Sequence, residues 1–318
     1  MKLQFWGTRG SIPVSMTSVD VRTKLRQALL GAAQGPVLTA DSVDAFIDTL
    51  GFDVAATFGG HSSCVQIVTD NPEHVILDLG SGARPLGQSM LARFGVDQPQ
   101  TYHVFMSHVH WDHIMGFPFF LPAFTPGNRI IIHACHAQVE QAFRRQHGSP
   151  SFPVEFEQLA ATVEFDVLLP GKRYQIAGLE VSARLQRHSG DSYGWRFERG
   201  GKAVVYSTDS EHRLDEAAEL AGIVEFFANA DAVVFDAMYS LADAISVKAD
   251  WGHSSNIVGV ELCRAAGVRR LVMFHHEPAY DDAQILGVLN ETRRFEEITR
   301  EGHALEVLSA WDGLELAL

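Results

Sequence analysis

The chain has 318 residues, of which 46% are hydrophobic and 20% are charged, a composition typical of a folded globular protein and unlike that of disordered chains. Its 25 basic and 39 acidic side chains give a formal net charge of −14, and a field of this sign disfavours long nucleic acids as partners. Its three cysteines form no Cys-x-x-Cys motif, which fits reduced thiols, and no apolar run approaches the ~20 residues of a membrane span. We therefore expect a cytoplasmic protein without a membrane partner.

Short β-rich runs alternate with helical patterns along the whole chain, and no linker rich in Ser, Gly or Pro divides it. This order predicts a single α/β domain, 1–318, with a mixed sheet. The predicted strands are 2–6, 63–69, 74–79, 102–106, 129–134, 179–186, 192–198, 202–207, 231–236, 269–274, 303–308 and 313–318. The predicted helices are 20–32, 41–50, 83–94, 136–146, 214–228, 254–266 and 282–300. Gly200-Gly201 and Asp312-Gly313 predict hairpins, the second of them between the last two strands.

The segment 16–58 stands between the first predicted strand and Gly59-Gly60, and it carries two of the predicted helices. It contains three basic and five acidic residues, so it is not a basic arm for nucleic acid. We interpret it as a helical insert. Two alternatives remain open for it: a lid or oligomer contact, or a decoration that packs on the core.

Three histidines and an aspartate lie within six residues, in the run His108-Val109-His110-Trp111-Asp112-His113 that follows the strand 102–106. Burying so many polar groups without partners would cost several kcal/mol, so they need a shared partner. Imidazole and carboxylate ligands together suit Zn²⁺, with Mn²⁺ or Fe as alternatives. Alternation along a loop directs His108 and His110 one way and Asp112 with His113 another, which predicts two adjacent metal ions.

Three later strands are each followed by a further candidate ligand: His188, Asp209 and His275. A lone residue of this kind is more often a hydrogen-bonded structural group. The ordered set of three after the histidine run nevertheless indicates a metal centre. His276 is adjacent to His275 and is the alternative ligand at that position.

The run His-x-His-x-Asp-His, followed by a spaced His, an Asp and a final His, resembles the metallo-β-lactamase fold superfamily over residues 60–280. The resemblance implies an αββα sandwich of two mixed β-sheets flanked by helices, with a dinuclear site at the edge between the sheets. The resemblance also implies the ligands. One ion would be held by His108, His110 and His188, the second by Asp112, His113 and His275, and Asp209 would bridge the two.

Further segments resemble the ribonuclease Z and phosphodiesterase branch of that superfamily. The segment 251–255 (WGHSS) is similar to an extra histidine motif of the branch, and 191–197 (DSYGWRF) is similar to its segment before the bridging aspartate. The segments 5–11 (FWGTRGS) and 59–64 (GGHSSC) resemble those of uncharacterised bacterial members. The resemblance to related sandwich hydrolases also implies a homodimer.

A dinuclear site suits phosphodiester hydrolysis, because two cations can bind a phosphate oxygen while a bridging hydroxide, formed from water whose pKa falls from 15.7 to about 7, attacks in line. His253 would then hydrogen-bond the phosphoryl oxygens or protonate the leaving alkoxide, and Asp112 would accept the proton of the attacking water. We therefore expect a metal-dependent hydrolase of a small phosphodiester, with cyclic nucleotides or related cyclic phosphates as the leading substrate class. The alternatives are a ribonuclease Z-like endonuclease acting on transfer RNA precursors, and an ester, thioester or lactone hydrolase on the same metals.

Two weaker signals flank the expected site. Arg9 lies in a glycine-flanked loop, where it would contact either a substrate phosphate or neighbouring carboxylates and backbone. The run 117–122 (FPFFLP) directly follows the histidine run and would either form a wall of the pocket or pack in the core.

Overall fold

The computed structural model describes residues 1–212, 217–240 and 252–318. Its strands form two seven-stranded sheets, with the orders β14-β1-β2-β3-β4-β5-β6 and β13-β12-β11-β10-β9-β8-β7. The strands of the first sheet are β1 (Lys2–Gly7), β2 (Cys64–Val68), β3 (His74–Leu77), β4 (Thr101–Phe105), β5 (Arg129–Ala134), β6 (Thr162–Val167) and β14 (Glu315–Ala317). Those of the second are β7 (Arg173–Ile176), β8 (Leu179–Gln186), β9 (Ser192–Arg199), β10 (Lys202–Ser207), β11 (Ala232–Asp236), β12 (Arg270–Phe274) and β13 (Glu306–Ser309).

The two sheets share one buried core between them. Phe105 of β4 packs edge-on against Trp195 and Phe197 of β9, with ring centroids 5.1 Å apart in both pairs. Phe5 of β1 contacts Phe274 of β12 in the same layer. Successive side chains of a strand point to opposite faces of its sheet. The apolar residues that alternate with these inward ones therefore face outward and must be buried by another layer.

Helices supply that cover on both outer faces. They are α1 (Ser18–Ala32), α2 (Val43–Ile47), α3 (Phe52–Ala55), α4 (Ala83–Phe94), α5 (Trp111–Ile114), α6 (Val139–Gln146), α7 (Ala217–Phe227), α8 (Asn256–Ala265) and α9 (Asp282–Thr299). Leu86 of α4 and Phe143 of α6 join the apolar cluster outside the first sheet. Phe227 of α7, Val260 of α8 and Leu289 of α9 join the cluster outside the second. The architecture is therefore the predicted αββα sandwich, and both sheets are mixed.

Strand direction brings several loops to one edge of the sandwich. In the second sheet β10, β11 and β12 run parallel, and β8 runs in the same direction because two antiparallel pairings separate it from β10. In the first sheet β3, β4 and β5 are parallel. Carboxyl ends of parallel strands meet at a common edge, which is where α/β folds place their sites.

The predicted hairpin at Asp312-Gly313 is wrong, whereas the one at Gly200-Gly201 is confirmed by the pairing of β9 with β10. β13 pairs with β12 in the second sheet and β14 pairs with β1 in the first, so the chain crosses between sheets at this turn. The Asp312 carboxylate is used instead as an acceptor, since the backbone N–H groups of Gly60 and His61 donate to its Oδ2 at 2.9 and 3.0 Å. Two short strands, β6 and β7, were not predicted, and part of the predicted helix 214–228 lies outside the described residues.

The segment 16–58 contains α1, α2 and α3, and none of their side chains is fully buried. Lys24 of α1 fastens the segment to the sandwich, because its ammonium group lies 2.6 Å from Asp282 at the start of α9 and donates to the carbonyl of Ala56 at 2.7 Å. Its role as a lid or contact surface, like the single-domain assignment, stays a prediction. Among the described residues, no helix combines the length and apolar character needed to cross a bilayer.

Candidate metal centre

Loops at the carboxyl ends of β4, β8, β10 and β12 converge at the edge of the sandwich. Three aspartate or histidine residues there adopt a left-handed backbone: Asp78 with φ 57°, Asp209 with φ 46° and His275 with φ 61°. Such conformations are uncommon for residues other than glycine and concentrate at functional sites. The backbone at this edge is thus bent to direct polar side chains inward.

Four buried residues form one half of the cluster: Asp112, His113, Asp209 and His275, whose candidate ligand atoms lie within 4.8 Å of one another. Oδ1 of Asp209 lies 3.1 Å from Nε2 of His113 and 3.3 Å from Nε2 of His275. Oδ2 of Asp112 lies 3.3 Å and 3.4 Å from the same two nitrogens. The two carboxylates therefore face the same pair of imidazoles.

His108, His110 and His188 form the other half, again with one candidate ligand atom each within 4.8 Å. Oδ2 of Asp209 lies 3.6 Å from Nε2 of His108 and 3.7 Å from Nε2 of His188. Asp209 thus presents one carboxylate oxygen to each half. The structure brings together all seven residues that the sequence singled out, while their action as ligands stays a prediction.

The chemistry of this cluster fits divalent metal ions. Nε2 of His108, Nε2 of His113 and both ring nitrogens of His275 are buried without a hydrogen-bond partner among the described residues, an arrangement that is costly unless something else satisfies them. Burial lowers the pKa of His113, but Asp209, Asp112 and Asp78 raise it well above its ordinary value. Cations held here would satisfy the unpartnered nitrogens and neutralise the surrounding carboxylates.

Asp78 holds the imidazole of His113 in position. Its Oδ2 accepts from Nδ1 of His113 at 2.8 Å, from the hydroxyl of Ser107 at 2.7 Å and from the hydroxyl of Tyr206 at 2.9 Å. Because Nδ1 is engaged, Nε2 of His113 is left to face the cluster, a common arrangement for a histidine ligand. In the same way Nδ1 of His188 donates to the carbonyl of Gly252 at 2.8 Å, which directs Nε2 of His188 inward.

His253 lies beside the cluster and is held by a second buried aspartate. Its Nδ1 is 2.8 Å from Oδ2 of Asp236, and its ring stacks on His275 with centroids 5.1 Å apart. The same Asp236 oxygen accepts from the backbone N–H of Ser210 at 3.0 Å. Burial lowers the pKa of His253, but the carboxylates, Asp236 foremost, raise it to about 9.

Sequence reasoning did not assign Asp78 or Asp236. Each stands at the carboxyl end of a wholly apolar stretch, after Val75, Ile76 and Leu77 in one case and at the end of β11 in the other. An aspartate in such a place has no solvent to keep it charged, so it needs a buried partner. An aspartate at the end of an apolar strand is therefore the sequence feature that could have indicated Asp78 and Asp236.

The remaining candidates lie away from the cluster. His276 faces the opposite direction and donates through Nε2 to the carbonyl of Ala310 at 2.8 Å, so His275 and not His276 joins the cluster. Arg9 is buried and donates to the backbone carbonyls of Gly59 and Tyr280 at 2.9 and 2.8 Å. In the 117–122 run Phe117 is buried in the core outside the first sheet, whereas Phe119 is exposed and lines a cavity beside the histidine run. Trp251 of the 251–255 motif lies outside the described residues.

The chain belongs to the family described as the beta-lactamase superfamily domain, whose model matches residues 76–276. That range includes the whole cluster together with Asp78, Asp236 and His253. This match confirms the resemblance to the metallo-β-lactamase fold superfamily, and the ribonuclease Z relatives confirm the resemblance to its ribonuclease Z-like branch. The protein is a hydrolase of this superfamily.

Individual proteins share this likeness along most of their length. The chain is 22% identical to a ribonuclease Z from Picrophilus torridus over 273 residues, which covers 69% of this chain and 80% of that protein. Zn²⁺-bound PqqB from Methylobacterium extorquens superimposes with a TM-score of 0.65 at 15% identity and covers 100% of both chains. The metallo-β-lactamase fold protein YhfI from Bacillus subtilis gives a TM-score of 0.63 at 15% identity, with 99% and 98% covered.

Proposed function

We propose that this protein is a metal-dependent phosphodiesterase for a small phosphodiester, with cyclic nucleotides or related cyclic phosphates as the leading substrate class. The observation that carries the proposal is the position of His253, whose Nδ1 lies 2.8 Å from Oδ2 of Asp236 and whose ring stacks on His275 of the cluster. A phosphodiester has an alkoxide leaving group that must be protonated, and a histidine held in a fixed orientation beside the reacting phosphate is suited to protonate it.

Two divalent ions would be held by His108, His110 and His188 on one side, by Asp112, His113 and His275 on the other, and by Asp209 between them. Zn²⁺ is the ion we favour, with Mn²⁺ or Fe as alternatives, and the Zn²⁺-bound PqqB of the same fold supports that choice. When bound, such ions supply Lewis-acid activation of the phosphoryl group and of water.

The protein's own groups carry the proton transfers. Burial raises the pKa of Asp112, but His113 and His275 lower it below its ordinary range, so its carboxylate is ionised and able to accept a proton from the attacking water. Asp236 holds Nδ1 of His253, so Nε2 is the atom left to donate a proton to the departing oxygen. A pKa of about 9 for His253 favours the protonated form at neutral pH, although cations at the cluster would act against it.

A second candidate is a ribonuclease Z-like endonuclease acting on transfer RNA precursors. The ribonuclease Z of Picrophilus torridus, to which the chain is 22% identical, favours this alternative. The net charge of −14 argues against it, because RNA binding grows with the number of phosphates that basic groups neutralise. An ester, thioester or lactone hydrolase would have no evident use for the pair His253 and Asp236.

The test compares substrates and one variant. With Zn²⁺ or Mn²⁺ added, the protein should hydrolyse bis(p-nitrophenyl) phosphate and a cyclic nucleotide. His253→Ala should lower the rate on the cyclic nucleotide, whose alkoxide must be protonated to leave, by about 10²–10⁴-fold without changing the metal content, and should lower the rate on the aryl ester far less. The exposed His303→Ala serves as the matched control and should retain wild-type activity. Cleavage of a transfer RNA precursor without turnover of small diesters would favour the endonuclease, and fast lactone or thioester turnover without diesterase activity would overturn the proposal.

A further inference from the structure

A cavity of about 600 Å³ lies beside the loop that carries four of the cluster residues. Its volume is within the range of small-molecule pockets. We call it the Trp111 cavity. Its main lining residues come from this loop with α5 and from the following segment up to residue 152, and they are Val109, Trp111, Met115, Phe119, Arg145 and Phe152.

Trp111 is the feature that links this cavity to the cluster. It stands between His110 and Asp112 in the sequence, and neighbouring Cα atoms are only about 3.8 Å apart. Its indole is 65% exposed, although a large aromatic side chain gains most from burial. His110 is exposed as well, whereas Asp112 and His113 are buried, so the cluster opens to solvent at His110, and Val109 and Trp111, its two neighbours in the chain, both line the cavity.

The charges around the Trp111 cavity suit an anionic ligand. Among the described residues that line it, none is acidic, in a chain whose formal net charge is −14. Its cationic side chain, Arg145, is exposed and has no carboxylate partner within the described part of the chain. A cavity of about 540 Å³ between α1 and α9 is lined instead by four carboxylates, those of Asp20, Asp53, Asp281 and Asp282, against the two cations Arg9 and Lys24, so its lining is acidic on balance.

We propose that the Trp111 cavity binds the nucleobase of a nucleotide phosphodiester whose phosphate lies at the cluster, an inference that rests on the proposed function. The indole of Trp111 and the ring of Phe119, which is 54% exposed, offer flat apolar faces on which a base can stack. The guanidinium of Arg145 can stack on the same base or contact its phosphate.

Binding by stacking also predicts that the cavity discriminates poorly between the different nucleobases. Gln146 offers a base no accessible polar atom, because its side-chain nitrogen donates to the carbonyl of Ile114 at 2.8 Å and its Oε1 is buried. A base held by its faces is accepted with little regard to its identity, because every base has an aromatic face. The cavity should therefore favour nucleoside over alkyl phosphodiesters and distinguish poorly between the bases.

Two substrates with one leaving group test this inference: thymidine 5′-monophosphate p-nitrophenyl ester and methyl p-nitrophenyl phosphate. With metal added to the full chain, Trp111→Ala should raise KM for the thymidine ester about tenfold and leave the methyl ester within twofold. Trp111→Phe should restore most of the loss. Ile298→Ala, which removes an equally exposed side chain from α9, should change neither substrate.

A binding measurement separates this inference from the proposed function. Saturation-transfer NMR on the protein as purified should show contact with adenosine, which has no phosphate, and Trp111→Ala should abolish that signal. Adenosine binding without hydrolysis of either ester would overturn the proposed function and leave the cavity assignment standing. Equal losses on both esters in Trp111→Ala, or adenosine contact unchanged in that variant, would show that the cavity does not hold the base.

Discussion

Nδ1 of His253 lies 2.8 Å from Oδ2 of Asp236, which stands at the end of β11, an inner strand of the second sheet. The aspartate is fully buried and is also fixed by the backbone N–H of Ser210. The imidazole of His253 is thereby fixed to the sheet as well as to its own loop. Asp236 is accordingly a positioning residue that acts through His253.

This relationship predicts non-additive losses. Asp236→Asn should lower diesterase turnover by about 10²-fold or less, because His253 loses the group that orients it. The same change introduced into His253→Ala should cost little more, since two residues that act as a unit share one contribution. Rates of the two single variants and the double variant, with metal content measured in each, decide the matter. Fully multiplicative losses would show that Asp236 acts independently of His253.

Asp209 should be needed for metal binding, because it faces His113 and His275 with one oxygen and His108 and His188 with the other. Asp209→Ala is expected to lose most of the bound metal together with at least about 100-fold in activity, a cost that outer partners of ligands already reach. Elemental analysis of the variant tests this, with the exposed Asp97→Ala as a control. Full metal occupancy in Asp209→Ala would contradict the bridging assignment.

Substitution of Gly10 by alanine should lower the activity through a steric clash alone. A Cβ at this position would meet ring atoms of His275 at 2.5 Å, so Gly10→Ala must displace the imidazole. A displacement of about 1 Å in a reacting centre can cost about 100-fold in rate, and we expect a loss of that order. Gly287→Ala is the matched control, because nothing lies within 4 Å of the added atom. It should keep full activity and stabilise α9 by about 0.5–1 kcal/mol.

If Gly10→Ala retained wild-type rate and metal content, His275 would be free to move without consequence. The assignment of His275 as a metal ligand would then be wrong. Unchanged activity in both glycine variants is therefore the informative negative result. Thermal unfolding of Gly10→Ala shows whether any loss reflects the site or the fold.

The candidate ligands could be predicted from the sequence because they lie close together in the chain or directly after a predicted strand. The sequence indicates the run from His108 to His113 and the residues that follow β8, β10 and β12, and the structure brings them together. Asp78 and Asp236 were not selected, because their importance comes from partners 35 and 17 positions away in the chain. Such contacts depend on which strands become neighbours.

Strand pairing is the second feature that could not be predicted from the sequence. A turn such as Asp312-Gly313 predicts a hairpin only if both flanking strands stay in one sheet, and here β13 and β14 belong to different sheets. The edge strands β6 and β7 were missed because each is paired on one side and partly exposed, with four or six residues to reveal its pattern. Central strands, buried on both faces, show a continuous apolar run and were found.

A buried histidine pair away from the cluster predicts how stability depends on pH. Nδ1 of His103 lies 2.9 Å from Nε2 of His133, and Nδ1 of His133 lies 3.0 Å from Asp166. Burial, reinforced by His103, lowers the pKa of His133 to about 4, whereas an unfolded histidine titrates near 6.5. Between about pH 6.5 and pH 4 the unfolded chain binds more protons, so the free energy of unfolding falls as the pH falls.

The share of His133 in that fall is at most about 3 kcal/mol at pH 4. Urea unfolding of wild type and His133→Gln at pH 7, 5.5 and 4.5 measures it, and taking the difference at each pH cancels any loss caused by release of metal in acid. We expect the stability difference between the two proteins to shrink as the pH falls, while the exposed His303→Gln follows wild type throughout. A difference that stays constant from pH 7 to 4.5 would show that His133 is protonated to the same extent in the folded and unfolded protein.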